Sequence, residues 1–319
     1  MNDEEARLDL FWHYVHERRM AECSRRNGDI APWSSDPIIQ KYRFTNVYRA
    51  SDRVSQYLIR DVQYAADASP DPKEVVFRTL LFRIFNLPST YEALKYVLDE
   101  HPSLARWSTD RYGMILDELH ARGHKLWSGA YMMTGKLGEA KHTTFLGILN
   151  TLVRNGDHWW ITENASKPEH VYAALHQYDL ISDFLSMQFT TDLGYAWFTD
   201  WDENDFIVPG HGARRGAYKL FGDAYSAEAV IDGLLSGQYT AFQRRGWEFE
   251  KLGGKRPLSK MDIQNCLCEF DKYCRVARSE WKTPYDRSAN PLPKARFDPE
   301  GREPLPAEFY PPKWNINNG

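Results

Sequence analysis

Apolar positions recur at three- and four-residue spacing over most of the chain, the period of amphipathic helices. Between Asp3 and Arg25, Leu8, Phe11 and Val15 share one face. Leu94, Val97 and Leu98 point inward from a helix opened by Ser89-Thr90-Tyr91-Glu92, which reads as a capping box. Tyr112, Ile115, Leu116 and Leu119 form a stripe stopped by Gly123; Phe145, Ile148, Leu149 and Leu152 form another, stopped by Gly156. Asp36-Pro37 and Asp71-Pro72 each set a capping carboxylate before a proline at the first helical position, where a missing N–H is no loss. Further helix starts fall near Pro168, Ser182, Ser226 and Ser259. No alternating runs are joined by tight turns; only Trp159-Trp160-Ile161 and Phe206-Ile207-Val208 read as short extended pieces. The expected class is all-α. From about Lys282 the periodicity gives way to Pro284, Pro291, Pro293, Pro299, Pro304, Pro306, Pro311 and Pro312. Residues 1–281 are therefore expected to form a helical domain. Residues 282–319 are expected to form an irregular Pro-rich tail that wraps along the surface or is partly disordered.

Composition adds three constraints. With 42% apolar and 26% charged residues among 319, the chain is an ordinary globular one, but its 11 Trp, 18 Tyr and 16 Phe are many. Such rings fill cores, and they also stack on nucleobases. A net charge of −4 means that any contact with a polyanion must be made by a local basic patch. No apolar run reaches membrane-spanning length, and the acidic start MNDEEARLDL is unlike a signal or transit peptide. A cytoplasmic protein (host cytoplasm if viral) without a membrane partner is expected. Cys23 stands apart, while Cys266, Cys268 and Cys274 crowd one helix; the spacing fits neither a zinc site nor a disulfide framework, so free thiols are expected.

Two polar stripes carry candidate chemistry. On a helical wheel through residues 46–60, Asn46, Arg49, Arg53, Gln56 and Arg60 share a face opposite Val47, Val54, Leu58 and Val62, with Asp52 beside Arg49. Three guanidiniums in a row suit phosphates or carboxylates; a solvated face with local ion pairs gives the same pattern. The second stripe is Ile263, Leu267, Phe270 and Cys274, with Asp271 at its edge able to pair with Arg275. Asp271 is either a rim salt bridge or a proton acceptor. Lys272, next to it, joins the candidate substrate-binding residues.

The segment Asp183–Phe221 is the richest. Asp192 follows Leu185 by seven positions and Phe189 by three, so its carboxylate points to the apolar side of a helix capped by Ser182. A carboxylate there must be paired, hydrogen-bonded or shifted in pKa, whether it serves as a base or caps a neighbouring helix. Downstream, Pro209, Gly210, His211 and Gly212 lead into a helix carrying Arg214, Arg215 and Lys219, an arrangement suited to anions. It is not a Walker loop, because no G-x-x-x-x-G-K-[ST] string occurs in the chain. Arg244, Arg245, Lys251, Lys255, Arg256 and Lys260 continue the basic stretch, a natural place for a DNA backbone.

Four blocks in order, FTNVYRASDRVSQYLIR (44–60), WSGAYMM (127–133), DFLSMQFTTDL with DFIVPGHGARRGAYKLF (183–193, 205–221) and LCEFDKYCR (267–275), give the chain a family likeness. Together they resemble the alpha-glutamyl/putrescinyl thymine pyrophosphorylase superfamily. That group includes the helical domain associated with 5-hydroxymethyluracil DNA kinases and the phage amino acid:DNA transferases. The resemblance implies an all-helical fold related to helix-hairpin-helix DNA glycosylases. It also implies a substrate base flipped from DNA, whose pyrophosphorylated 5-hydroxymethyl group exchanges pyrophosphate for an amine such as an amino acid or polyamine. Two departures stand out. The stretch Tyr178-Asp179-Leu180-Ile181-Ser182 lacks the glycines of such a hairpin, and Val208-Pro209-Gly210-His211 stands where glycosylases of the fold carry an Asp.

On this reading Arg214 and Arg215, with N–H groups near Gly210 and Gly212, stabilise the leaving pyrophosphate, and Arg49 and Arg53 add a second clamp. Asp192, Asp271 or His211 takes the amine proton. Mg²⁺ is compatible with pyrophosphate, but no metal is demanded. The expected partners are DNA carrying a modified pyrimidine, a small amine or amino acid, and a P-loop DNA-base kinase. The rival expectations are a glycosylase-like enzyme that excises a modified base, and a non-catalytic DNA-binding module working with a separate kinase.

Overall fold

The computed structural model describes residues 3–129, 133–286, 295–298 and 305–316. Ala130, Tyr131 and Met132 of the second block, and Pro291, Pro293, Pro299 and Pro304 of the tail, lie outside them. Among the described residues the helices are α1 (Asp3–Arg26), α2 (Pro37–Lys41), α3 (Arg53–Tyr57), α4 (Pro72–Phe85), α5 (Pro88–Leu98), α6 (Thr109–Ala121), α7 (Lys141–Asn155), α8 (Asp157–Asn164), α9 (Pro168–His176), α10 (Asp183–Leu193), α11 (His211–Phe221), α12 (Ala227–Arg244) and α13 (Lys260–Ala277). The only β pairing among these residues is two isolated bridges, Tyr42 with Arg296 and Leu252 with Arg256. The all-α expectation holds.

Many boundaries follow the local chemistry. Asp36 accepts from the N–H groups of Ile38 and Ile39, and Asp71 from that of Lys73, each ahead of its proline. Ser182, Ser226 and Ser259 cap α10, α12 and α13. Three expectations need correction. Helix α5 opens at Pro88, not at a Ser89 capping box, and the Thr90 hydroxyl donates instead to the Leu126 carbonyl at 2.9 Å. Trp159–Ile161 is helical rather than extended, because Gly156 at φ 80° ends α7 and starts α8 at once. Residues 46–60 are not one helix: a 3₁₀ turn at Arg49–Ser51, an extended Asp52, α3, and then a π-type turn at Leu58–Gln63 follow one another. Local bonds compete with the helix there, since Ser51 Oγ donates to the Tyr48 carbonyl and Asn46 Nδ2 to the Ser51 carbonyl, both at 2.9 Å.

The chain divides into two compact units. The first takes the described residues of Met1–Asp52, Ile207–Glu308 and Ile316–Gly319, and so holds α1, α2, α11, α12 and α13. Its core is aromatic: Phe11 meets Phe270 edge-on at 5.3 Å, Trp12 meets Phe242 at 5.0 Å and Tyr14 meets Phe44 at 5.5 Å. Helices α11 and α13 pack closely because Gly212 and Gly216 have no Cβ. One added at Gly216 would sit 2.7 Å from the Leu267 carbonyl carbon, and one at Gly212 3.1 Å from Cys268 Cβ.

The second unit takes Arg53–Phe206 and Phe309–Asn315. Helix α4 is its centre, with every residue from Val75 to Phe85 buried, as expected of a helix enclosed on all sides. Phe77, Leu80 and Leu81 share a core with Leu116, Phe145, Leu149 and Phe189. Helices α9 and α10 form a hairpin whose glycine-free turn puts Leu180 at φ 68°. Part of the Pro-rich tail is anchored here. Phe309 exchanges two hydrogen bonds with the Gln56 amide, at 2.8 and 3.1 Å, and Tyr310 is fully buried.

Candidate functional site

Helix α13 gathers most of the candidate residues. Ser259 and Asp262 form the capping box that opens it, and the other oxygen of Asp262 accepts the Arg49 N–H at 2.8 Å. One turn on, Asn265 Nδ2 donates to the Asn46 carbonyl at 2.9 Å, and Glu269 accepts the Thr45 N–H at 3.3 Å. The opposite flank takes the turn into α11: Gly210 N–H donates to Gln264 Oε1 at 3.3 Å, and Gly212 lies against Cys268. Thus the 44–52 segment and the start of α11 both pack on residues 262–269.

At the first flank Asn46 is fully engaged. Its amide nitrogen donates to Glu22 Oε1 at 2.9 Å as well as to Ser51, and its oxygen accepts from Arg18. Asp52 accepts the Asn46 N–H at 3.4 Å. Burial pushes the Asp52 carboxyl up; Asn46 and Arg18 pull it back, while Glu22 and Glu269 push further. Arg49 is buried at the same segment. Lys272 pairs with Glu269 at 2.7 Å.

At the second flank the two arginines part. Arg214 donates to the Pro209 carbonyl at 3.1 Å and pairs with Glu228 at 3.3 Å, both side chains nearly half exposed. Arg215 turns to Asp271 at 3.0 Å. His211 is exposed in the first turn of α11. Asp271 is fully buried and is also held by Lys219 at 2.8 Å and Arg275 at 2.6 Å, the latter being the i,i+4 pair its position suggests. Burial alone would raise its pKa, but Lys219, Arg275 and Arg215 outweigh that and hold it below the usual carboxylate range.

Asp192 and Arg53 belong to the second unit. Arg53 is exposed at the start of α3. Asp192 points inward, as its spacing required, and its partner is Arg83 on α4: Nε meets Oδ2 at 2.7 Å and Nη2 meets Oδ1 at 2.9 Å. Arg83 also binds Asn86 at 2.7 Å and Ser55 at 3.2 Å. On the other side of α10, Met187, Thr190, Trp201, Phe206 and Trp314 line a small pocket that is partly open to solvent.

The basic stretch after α12 is less bare than its sequence suggests. Arg245 pairs with Asp9, Lys260 pairs with Asp232 at 2.9 Å, and Lys251 lies over the Tyr239 ring at 5.3 Å. The polar face of α13 formed by Asp262, Asn265 and Glu269 was missed, as was Gln264 on the opposite flank. The signal for that face was the Ser259-x-x-Asp262 cap and three polar residues at helical spacing. Among the described residues, no group of three or more His, Cys, Asp or Glu could hold a metal ion, and no helix is long and apolar enough to cross a membrane.

These features define a class: a helical protein whose polar side chains collect on one long helix beside a basic helix. A family model described as "5-hmdU DNA kinase, helical domain" matches residues 5–283, and the chain belongs to that family. A 5-hmdU DNA kinase of Bacillus phage SP10 is 23% identical over 293 residues, covering 85% of this chain and 45% of that protein. The chain therefore spans somewhat less than half the length of this relative. No solved structure matches.

Proposed function

We propose that the protein acts in the modification of 5-hydroxymethyluracil in DNA, and that it transfers an amino acid or polyamine onto the pyrophosphorylated base. One observation carries the choice of site: the 44–52 segment and the turn into α11, from two of the four family blocks, pack on the same two turns of α13. In the reaction a C–N bond forms between the amine and the C5 methylene while the C–O bond to pyrophosphate breaks. The electron pair leaves on the pyrophosphate oxygen, and the amine proton goes to a carboxylate. Asp52 suits that role better than the other candidates, since its surroundings raise its proton affinity. Asp271 is held down by three cations, and Asp192 is sealed against Arg83. Arg214 suits the leaving group, because exchanging an exposed partner such as Glu228 for a phosphate costs about 1 kcal/mol or less. Mg²⁺ carried by the pyrophosphate is compatible with this chemistry. A P-loop kinase supplies the phosphorylated base, as these 319 residues hold no phosphate-binding loop of that kind.

The test is incubation of the purified protein with pyrophosphorylated DNA and single amines, followed by nucleoside mass spectrometry. A new base heavier by the amine is expected, together with loss of turnover in a folded Asp52→Asn variant. Free base or abasic sites would instead mark an excising enzyme. Unchanged DNA with every amine refutes transfer. It would favour a second reading, a non-catalytic module for a separate kinase, which the match to the helical domain of a longer kinase supports.

A further inference from the structure

Charges do not balance around Asp271. Arg215, Lys219 and Arg275 converge on this one buried carboxylate. Arg7 of α1 donates to the Lys219 carbonyl at 2.6 Å and lies over the Trp281 ring at 4.5 Å; Arg278 approaches the same ring at 5.9 Å. Cys274 sits at the centre, within electrostatic reach of Lys219, Asp271, Arg278 and Arg7. Among the described residues, the acids paired with these five cations are Asp271 and, for Arg7, the largely exposed Asp3. Glu280 is exposed nearby, and Asp286 is turned to Thr283 at 3.0 Å. Arg215 and Arg275 each give one guanidinium N–H to Asp271 Oδ2, and their side chains remain 18% exposed. A buried carboxylate thus fixes two forks at the surface before any ligand arrives. Aromatic rings lie among the cations: Trp281, and Tyr285, which is exposed and meets Tyr218 edge-on at 6.1 Å.

We propose that this face, made by the start of α1, the outer side of α11 and the residues after α13, holds a nucleic-acid backbone. Guanidiniums bind phosphates bidentately, and rings set between them suit sugars and unstacked bases, a combination that an acidic protein would not need. The residues of this face are not those of the stretch 244–260, where the sequence alone put the DNA. It rests on the proposed function only in the choice of DNA as probe, and it requires no modified base.

Fluorescence anisotropy with labelled, unmodified oligonucleotides, single- and double-stranded, tests it across a salt series. Wild-type protein should lose affinity linearly in log–log form as salt rises. Replacing Arg275 and Arg278 with Gln removes two contacts, so the slope should flatten by about 1.4 on single strands or about 1.8 on duplex, with weaker binding at low salt. Trp281→Ala should weaken binding by about tenfold with little change in slope, because it removes stacking and no charge. Arg122→Gln, in an exposed pair with Glu118, should change neither. If the double variant melts early, Arg278→Gln alone, at an exposed position, should flatten the slope by half as much. Folded variants with wild-type affinity and slope overturn the proposal, as does wild-type binding that ignores salt. Wild-type protein that binds DNA through this face but modifies no base refutes the transfer reaction and leaves this surface standing.

Discussion

Arg83→Met should be among the most damaging single changes in the second unit. It removes both nitrogens that hold Asp192, leaving a wholly buried carboxylate without its cation. Breaking a buried pair from one side costs about 3–5 kcal/mol. Asn86 and Ser55 lose a donor as well, each worth up to about 1 kcal/mol. These losses overlap, so about 4 kcal/mol is expected, a large share of the roughly 5–15 kcal/mol that holds a typical domain. Removing both charges is a different matter. Arg83→Met with Asp192→Leu leaves no orphaned ion and should recover most of the loss, to within about 2 kcal/mol of wild type. Hydrogen exchange by mass spectrometry on peptides from α4 and α10 reads this unit by itself, in a urea series. A cost below about 1 kcal/mol for Arg83→Met, or a double variant less stable than the single one, refutes the account of Asp192 as an ion held by its partner.

Two other outcomes follow from the first unit. Gly216→Ala sets a methyl group against the Leu267 backbone, which cannot yield as a side chain can, so α11 and α13 must separate. Overpacking of about 1–3 kcal/mol should outweigh the gain of about 1 kcal/mol in helix propensity, and thermal melts should show a lower Tm. His13 is raised above its ordinary pKa by its hydrogen bond to Asp36, against some loss from burial. A raised histidine stabilises fully below its unfolded pKa, near 6.5, and the benefit fades as pH climbs through the folded value. The Tm gap between wild type and His13→Gln should therefore be widest in mild acid and close above neutrality, while a constant gap refutes the linkage. The effect should be small, as the ring is 39% exposed.

Elements set by contacts near in sequence were legible; those set by distant partners were not. The caps at Asp36, Asp71, Ser182, Ser226 and Ser259 act within four residues, and all five begin helices. Residues 46–60 have a convincing helical wheel, yet Asn46 is claimed by Glu22 and Arg18 and the Arg49 N–H by Asp262, far along the chain. The inward aim of Asp192 could be read from its spacing, but nothing local names Arg83 as its partner. Likewise the Asp271–Arg275 pair is written at i,i+4, whereas Lys219, Arg215 and Arg7 reach that centre only through tertiary packing. The glycines of the α11 turn read as an anion cradle, and the contacts of Gly212 and Gly216 show them also serving helix approach.

The order of segments between the two units has a consequence for synthesis. Helix α1 leaves the ribosome well before its partners in the first unit, α11 and α13, which follow the whole of Arg53–Phe206. At about 5–20 residues per second, making that span takes on the order of ten to thirty seconds. Through that interval Phe11, Trp12 and Val15, all buried in the finished protein, have no core to enter. The second unit, nearly continuous in sequence, can collapse meanwhile and lacks only Phe309–Asn315. Folding is thus expected to run inside out along the chain, with the inserted unit first, and α1 is the segment most in need of a chaperone while it waits.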